Sequence, residues 1–599
     1  MSKAISRKRV VPIAVLIGLY SFGSLDLRAG FEPPEEQPGL GNQIEVLTLE
    51  LRENRSSAGA RLAELWAGSG AAIVREADGA LVSMAGWVNG VAPAQREVLS
   101  KQLSDAPTTG AVLAAVQAAA RDEPTASPLQ LYARTRAVPL GAGLGPALAV
   151  VAERAVAWGD LVTARDLYAA ALATGWTADG PRAGAIASAA ETTVARPLAL
   201  PAPWYGNAKA LQEPRLLPVA AGDVTYVGGL AGVAAVRGDE ALWTNIWGAA
   251  EDIVDSAPLP GGAGRGPLVS PAILGGAGDG AQIIVVNTPA TAELPGTLRA
   301  IRASDGKTLW ESTDDDANRA LRFVGPAAVA GRYVYATAMR TDGRLGTLLV
   351  ACIDVTNGRS LWQTTLGSVT DTARDGNRKP LEHHWHAGAP LVSGDQIFLA
   401  PGVGFVMALN RFDGALLWAR PYTVTDADEG QVRQFRDQLR NRQKNATPPI
   451  PERQAQRFAG GVARVGDVLV VAPLDTPAVL GLSATSGRTL WERADLPAPN
   501  LVGVAGASAI FSGADVRAID PATGADRWTA TVAVAGPVVI EGDGLLAPTA
   551  DGVVAINVAS GAVSATRPAV PTFAAGSPVA TTLQTIGAGD LLQVAEPRK

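Results

Sequence analysis

A short hairpin signature recurs along this chain and constrains its fold more than any other feature. Gly306-Lys-Thr-Leu-Trp310, Gly358-Arg-Ser-Leu-Trp362, Gly414-Ala-Leu-Leu-Trp418, Gly487-Arg-Thr-Leu-Trp491 and Gly524-Ala-Asp-Arg-Trp528 each set a Trp four residues after a Gly. Gly238 and Trp243 form an earlier copy with one extra residue, and a last copy around Gly561 has Ala565 in place of Trp. Before each Gly runs a β-capable stretch such as Leu298-Arg-Ala-Ile301, which ends in a Ser/Thr/Asn/Asp-rich turn. The Gly supplies the positive φ that a tight hairpin with a bulge needs. One hairpin cannot bury both of its faces, so copies must stack, and a flat Trp at a fixed place suits packing between neighbouring sheets.

A second strand pair precedes each hairpin, as in 325–336 and 389–400, so each unit holds four strands, the content of a propeller blade. Successive Trp residues lie 67, 52, 56, 73 and 37 residues apart, which fits blades of roughly 40–50 residues with insertions. Seven repeats are countable. The stretch 577–596 offers two more strands, the start of an eighth blade that strands from 197–215 would close.

The hairpin ending in Ser/Thr/Asn/Asp-Gly and running on to Leu-Trp resembles the PQQ-like, or quinoprotein-type, β-propeller repeat family. The resemblance covers about two thirds of the chain and implies a propeller over 201–599. In quinoprotein alcohol dehydrogenases the family places a quinone between a Trp floor and a disulfide of adjacent cysteines, with carboxylates and an amide around Ca²⁺. This chain has one cysteine, Cys352, so that disulfide cannot form. Asp314-Asp315-Asp316 is a candidate carboxylate cluster, against the alternative of a solvated loop. Soluble glucose dehydrogenases of the family lack the disulfide, so a PQQ–Ca²⁺ dehydrogenase acting on an alcohol or sugar stays as the alternative function.

The N-terminal third has a different texture. Lys3, Arg7, Lys8 and Arg9 precede an apolar run from Val10 to Leu25, the pattern of a signal peptide or N-terminal anchor over 1–29. No Cys lies near it, which excludes a lipidated cysteine. Residues 30–200 read as a mainly helical region, with a β-hairpin near 72–84 turning at Asp78-Gly79. Helices are expected at 61–66, 93–104, 109–121, 144–158 and 160–174, with Asp160 capping the last. Leu148, Val151 and Ala152 share one face of the first helix of the final pair. Ala164, Tyr168 and Ala171 share one face of the second, at the small–aromatic–small positions of a tetratricopeptide pair, which this pair resembles.

Two insertions hold the remaining candidates. All 3 His lie in Glu382-His383-His384-Trp385-His386. In an extended strand Glu382, His384 and His386 face one way, a possible divalent-metal donor set, and His383 and Trp385 the other, a possible partner or ligand contact; a plain polar rim is the third reading. Further on, an inserted charged helix near 426–442 carries Val432, Phe435 and Leu439 as a narrow apolar stripe. It would dock on its own propeller or recruit a partner.

The net charge of −6 offers no broad basic field, which excludes a nucleic-acid partner. The fold class expected is therefore multidomain: helical hairpins, then an all-β propeller of seven or eight four-stranded blades. The function expected is an exported, non-catalytic scaffold that binds other envelope proteins. It is periplasmic or secreted, needs no cofactor, and meets the membrane only through its N-terminal segment. A scaffold propeller of outer-membrane assembly within the same repeat family is the comparison this suggests.

Overall fold

A computed structural model describes residues 31–178, 218–246, 272–274, 283–288, 296–370, 387–423, 461–568 and 579–597, with short interruptions. Among the described residues eight α-helices form the N-terminal region. They are α1 (Leu40–Arg52), α2 (Ala58–Ser69), α3 (Met84–Gly90), α4 (Pro93–Ser104), α5 (Pro107–Asp122), α6 (Pro128–Thr135), α7 (Gly145–Ala157) and α8 (Leu161–Ala173). Three short strands accompany them: β1 (Phe31–Glu32), β2 (Ile73–Arg75) and β3 (Leu81–Ser83).

The α7–α8 pair shows why this sequence forms a helical hairpin. Gly159, at φ 73°, makes the turn, and Asp160 caps α8 by accepting the Thr163 amide at 3.1 Å. Val151 and Ala152 of α7, and Ala164, Tyr168 and Ala171 of α8, are all buried, so the small residues let the two helices close on the tyrosine. α1, α3 and α6 have no counterpart among the expected helices. α6 is set by a local signal, a capping box between Ser127 and Gln130 with Pro128 in its first turn.

From residue 218 the strands among the described residues pair antiparallel. Blades 1 to 7 are β4–β7 (218–246), β8–β11 (272–311), β12–β16 (322–370), β17–β20 (391–421), β21–β24 (461–493), β25–β28 (500–530) and β29–β32 (539–568); a two-stranded sheet, β33–β34 (579–597), follows. The outcome is the expected series of seven antiparallel blades followed by a two-stranded sheet; residues 197–215, expected to complete an eighth blade, lie outside the described residues. Alternation along the third strand of blade 2 feeds both neighbours. Leu298 and Ala300 pack toward blade 3, while Ile301 packs with Tyr226 and Ala235 of blade 1. Each blade is buried on both faces, which is why the units cannot exist singly.

Blade 3 departs from the common size. Its strands β14 (Tyr333–Asp342), β15 (Leu345–Asp354) and β16 (Ser360–Thr370) run 10 or 11 residues, against 4 to 6 in blades 5 and 6. Two outer edges are not left open. β1 pairs with Ser368 and Val369 of β16. β3 pairs antiparallel with β20 (Leu416–Pro421), Val82 opposite Trp418, making blade 4 a six-stranded sheet. Between them Glu36 bridges Ile73, so the N-terminal chain straps the edges of blades 3 and 4 together.

Candidate functional site

Each repeat Trp reaches into the next blade. Trp243, Trp310, Trp418, Trp491 and Trp528 donate their indole N–H to the carbonyls of Ala303, Val355, Ala484, Pro521 and Val558, at 2.6–3.0 Å. Each acceptor lies three residues before the following turn glycine. Gly306, Gly358, Gly414, Gly487, Gly524 and Gly561 have φ of 69–74°, or 68° at Gly487. A Cβ on any of them would lie 2.5–2.8 Å from ring atoms of the preceding blade's Trp. Glycine is therefore required twice over, by the turn and by the ring lying on it.

Sequence reading overlooked a third element of this lock. The residue two after the Trp caps the carbonyl of that same glycine: Asn245 on Gly306, Thr364 on Gly414, Arg420 on Gly487 and Arg493 on Gly524, at 2.7–2.9 Å. In blade 2 the position is Ser312, and Asn318 reaches the Gly358 carbonyl instead, at 3.3 Å. The signal was available, since a polar residue stands two after the Trp in each of blades 1 to 5.

The helical arm meets the propeller on the turns of blades 3 and 4. At the centre is Arg411, 1% exposed, in the hairpin turn of blade 4. Its Nη1 pairs with Asp166 of α8 at 3.0 Å, its Nη2 donates to Thr163 Oγ1 at 3.2 Å, and its guanidinium lies over the Phe412 ring. Asp160 receives the Arg332 amide at 3.3 Å, so the cap of α8 also reads the turn at Gly331. Arg332 in turn holds Asp354 and covers the Trp158 ring. Tyr132 of α6 meets the Phe412 ring at a tilt of 48° and accepts from Asn410 Nδ2 at 3.1 Å, and Arg136, just after α6, pairs with Asp413 at 2.7 Å.

Burial drives the electrostatics of this seam. It raises the Asp160 and Asp413 carboxyls above their ordinary value, against the pull of nearby arginines. It also pushes the Cys352 thiol well up, so Cys352 is a packed core residue beside Tyr335 and Trp362 in the sheet and not a reactive nucleophile. Trp362 differs from its five counterparts here: its indole N–H finds no acceptor among the described residues.

Asp314, Asp315 and Asp316 do not gather round a common point. Asp314 accepts from the Glu311 amide, Asp315 from Asn318 and the Ser360 amide, and Asp316 pairs with Arg319. Among the described residues no group of three His, Cys, Asp or Glu side chains is placed to hold a metal ion. Glu382, His383, His384, Trp385 and His386, and Val432, Phe435 and Leu439, lie outside the described residues. Among the described residues no helix is long and apolar enough to cross a membrane.

The sequence model of a PQQ-type repeat family, described as outer membrane protein assembly factor BamB, matches residues 269–420 and 349–568, together half of the chain. The chain belongs to this family. No curated protein matches the sequence. Similar solved structures include BamB from Moraxella catarrhalis, 19% identical with a TM-score of 0.37, over 62% of this chain and 90% of that one. The designed protein Ika8 is 10% identical with a TM-score of 0.38, over 63% and 95%. The quinohemoprotein alcohol dehydrogenase ADHIIG from Pseudomonas putida HK5 is 13% identical with a TM-score of 0.31, over 63% and 61%.

Proposed function

We propose that this protein is an exported, non-catalytic scaffold of the cell envelope that uses its propeller to hold other envelope proteins. The observation that carries this reading is membership, across the blades, in a family described as an outer membrane protein assembly factor. The residue chemistry supports it. The single cysteine is buried in blade 3, and Asp314, Asp315 and Asp316 are engaged by their own loop and, through Asp315, by the Ser360 amide of blade 3.

The proposal includes an export segment over 1–29, a tetratricopeptide-like helical arm over 30–200 and a propeller over 201–599. It assigns partner contact to the inserted segments that hold His383 and Trp385 and, by sequence, the stripe Val432, Phe435 and Leu439. Zn²⁺ titration of the wild type against a His384→Ala/His386→Ala double variant tests the donor set with Glu382. Equal affinity removes the metal.

Crosslinking of the exported protein followed by mass spectrometry tests the scaffold reading, which expects reproducible links to envelope proteins. The same preparation, supplied with PQQ and Ca²⁺, is expected to give no dye reduction with alcohols or sugars. Turnover with either substrate class overturns the reading in favour of a quinoprotein dehydrogenase.

A further inference from the structure

Each repeat Trp sits at the end of a cross-strand row. Opposite the Trp stands a small residue, and opposite that, one strand further in, an aromatic or aliphatic one, as in Val285, Ala300, Trp310 and in Ile510, Ala518, Trp528. In blade 4 the row is Phe398, Ala408, Trp418, with the two rings 6.1 Å apart at 40°. In blade 3 it is Tyr335, Cys352, Trp362, with the rings 6.0 Å apart at 39°. The two rows share one geometry and differ in polarity.

The polar row faces the place where the arm docks. In five locks the carbonyl that takes the Trp N–H belongs to an Ala, Val or Pro three residues before the turn glycine. Before Gly414 that position holds Arg411, committed to Asp166 of the arm, and Trp362 Nε1 is buried with no hydrogen-bond partner among the described residues. The same is true of Arg411 Nε and of the hydroxyls of Tyr333, Tyr335 and Thr337. These three residues alternate along β14, so they share one face. Tyr333 and Tyr335 belong to the core that also holds Phe398 and Trp418 of blade 4, and the Arg411 charge acts on both tyrosines. Beside its hydroxyl Tyr335 has only the Cys352 sulfur, a weak acceptor. Buried polar atoms of folded proteins are nearly always paired, with protein or with ordered water.

We propose that the seam between blades 3 and 4 is a hydration site, in which buried water accepts from Trp362 Nε1 and Arg411 Nε and bridges them to the hydroxyls along β14. The water stands in for the carbonyl that serves Trp in the other five locks. Charge and access select this occupant. Burial pushes the Tyr333 and Tyr335 hydroxyls and the Cys352 thiol well up, so all three keep their protons. The Arg411 charge is matched by Asp166, so an ion finds no unmatched charge. Tyr333, Tyr335, Thr337 and Arg411 are at most 1% exposed, which shuts out anything larger than water. The inference concerns the arm–propeller seam and stands apart from the scaffold reading.

Synchrotron radiolysis forms hydroxyl radicals from bound water in place, so buried side chains beside water are oxidised and dry ones are spared. On the full-length protein, read by mass spectrometry, Tyr333 and Tyr335 are expected to be oxidised several-fold faster than Phe398, which is equally buried one blade on. A maleimide added in parallel is expected to leave Cys352 unreacted. No excess over Phe398 overturns the proposal. So does an excess seen only where the maleimide also reacts, because opening of the seam then admits the solvent. Stability supplies a second test. Tyr335→Phe reproduces the row that blade 4 already packs, and it is expected to raise the unfolding constant roughly three- to tenfold, the size of one net hydrogen bond. A dry seam predicts the opposite, since the variant then removes an unpaired buried hydroxyl. An unchanged or smaller unfolding constant overturns the buried water.

Discussion

Trp310 donates its indole N–H to the Val355 carbonyl in the next blade at 2.6 Å, and its ring lies where a Cβ on Gly358 would be, 2.8 Å away. The same relationship, repeated around the ring, makes each blade the floor on which its predecessor's Trp rests. It ties stability to glycines whose local role looks like an ordinary turn.

Gly358→Ala is expected to cost about 2–4 kcal/mol, combining roughly 1 kcal/mol for a Cβ at positive φ with the overpacking against Trp310. Gly394→Ala is the control. It has φ 60° and nothing within 4 Å of its Cβ, so only the backbone part, about 1 kcal/mol, is lost. Denaturant unfolding of the two variants measures the difference. Equal losses would mean that the ring contact contributes nothing.

Arg411→Met strips the buried Asp166, at 7% exposure, of its buried cation and leaves it only the partly exposed Arg165 at 2.8 Å. Removing one member of a buried pair typically costs about 3–5 kcal/mol. The loss is expected to appear first as faster hydrogen exchange in α7 and α8, since the pair joins the arm to blade 4. Adding Asp166→Leu to Arg411→Met should recover much of it, because the uncompensated charge is then gone. An additive double variant would show that the pair is not coupled.

The seam also makes a pH prediction through Asp160. Burial raises its folded-state carboxyl above the ordinary 3.8. The sign follows from proton linkage: the folded state holds the proton more tightly, so this contribution is present below pH 3.8 and is lost as pH rises through the raised folded value. Asp160→Asn keeps an oxygen to accept the Thr163 amide but carries no charge. The stability of wild type relative to Asp160→Asn should therefore fall as pH rises from 3.5 toward neutrality and then level off. Paired unfolding curves across that range measure this. A relative stability that climbs with pH would mean that hydrogen bonds and arginines around the carboxylate outweigh its burial.

Cys352 provides a built-in reporter. It is buried between Tyr335 and Trp362 in the sheet of blade 3, and burial pushes its thiol well up. Thiol reagents are expected to label it only when blade 3 opens, with the rate tracking denaturant in step with Trp fluorescence. Stoichiometric labelling under native conditions would contradict this packing. Cys352→Ala is expected to cost roughly 1–2 kcal/mol by the cavity it leaves.

Much of the propeller could be read from the chain because its determinants are local. The Gly–Trp interval, the alternating Leu298 to Ile301 and the turn residues all lie within one hairpin, so period and turn chemistry suffice. The capped α7–α8 pair is legible for the same reason. The candidate site was less legible. The metal and stripe residues in the insertions have no local partners to argue from. The polar residue two after each Trp acts on a glycine 31 to 67 residues away, as between Arg493 and Gly524 or Arg420 and Gly487.

The sequence by itself determined the blade unit, the order of blades and the position of each Trp on its hairpin. Tertiary structure alone decided where the arm sits, which edges it covers and which Leu of the Leu-Trp series stays exposed. Ser83 and Leu417 meet across 334 residues, and Arg411 meets Thr163 across 248. No period in the chain encodes such pairs. They exist because the unpaired edges of blades 3 and 4 and the buried faces of the helices satisfy one another only once both have folded.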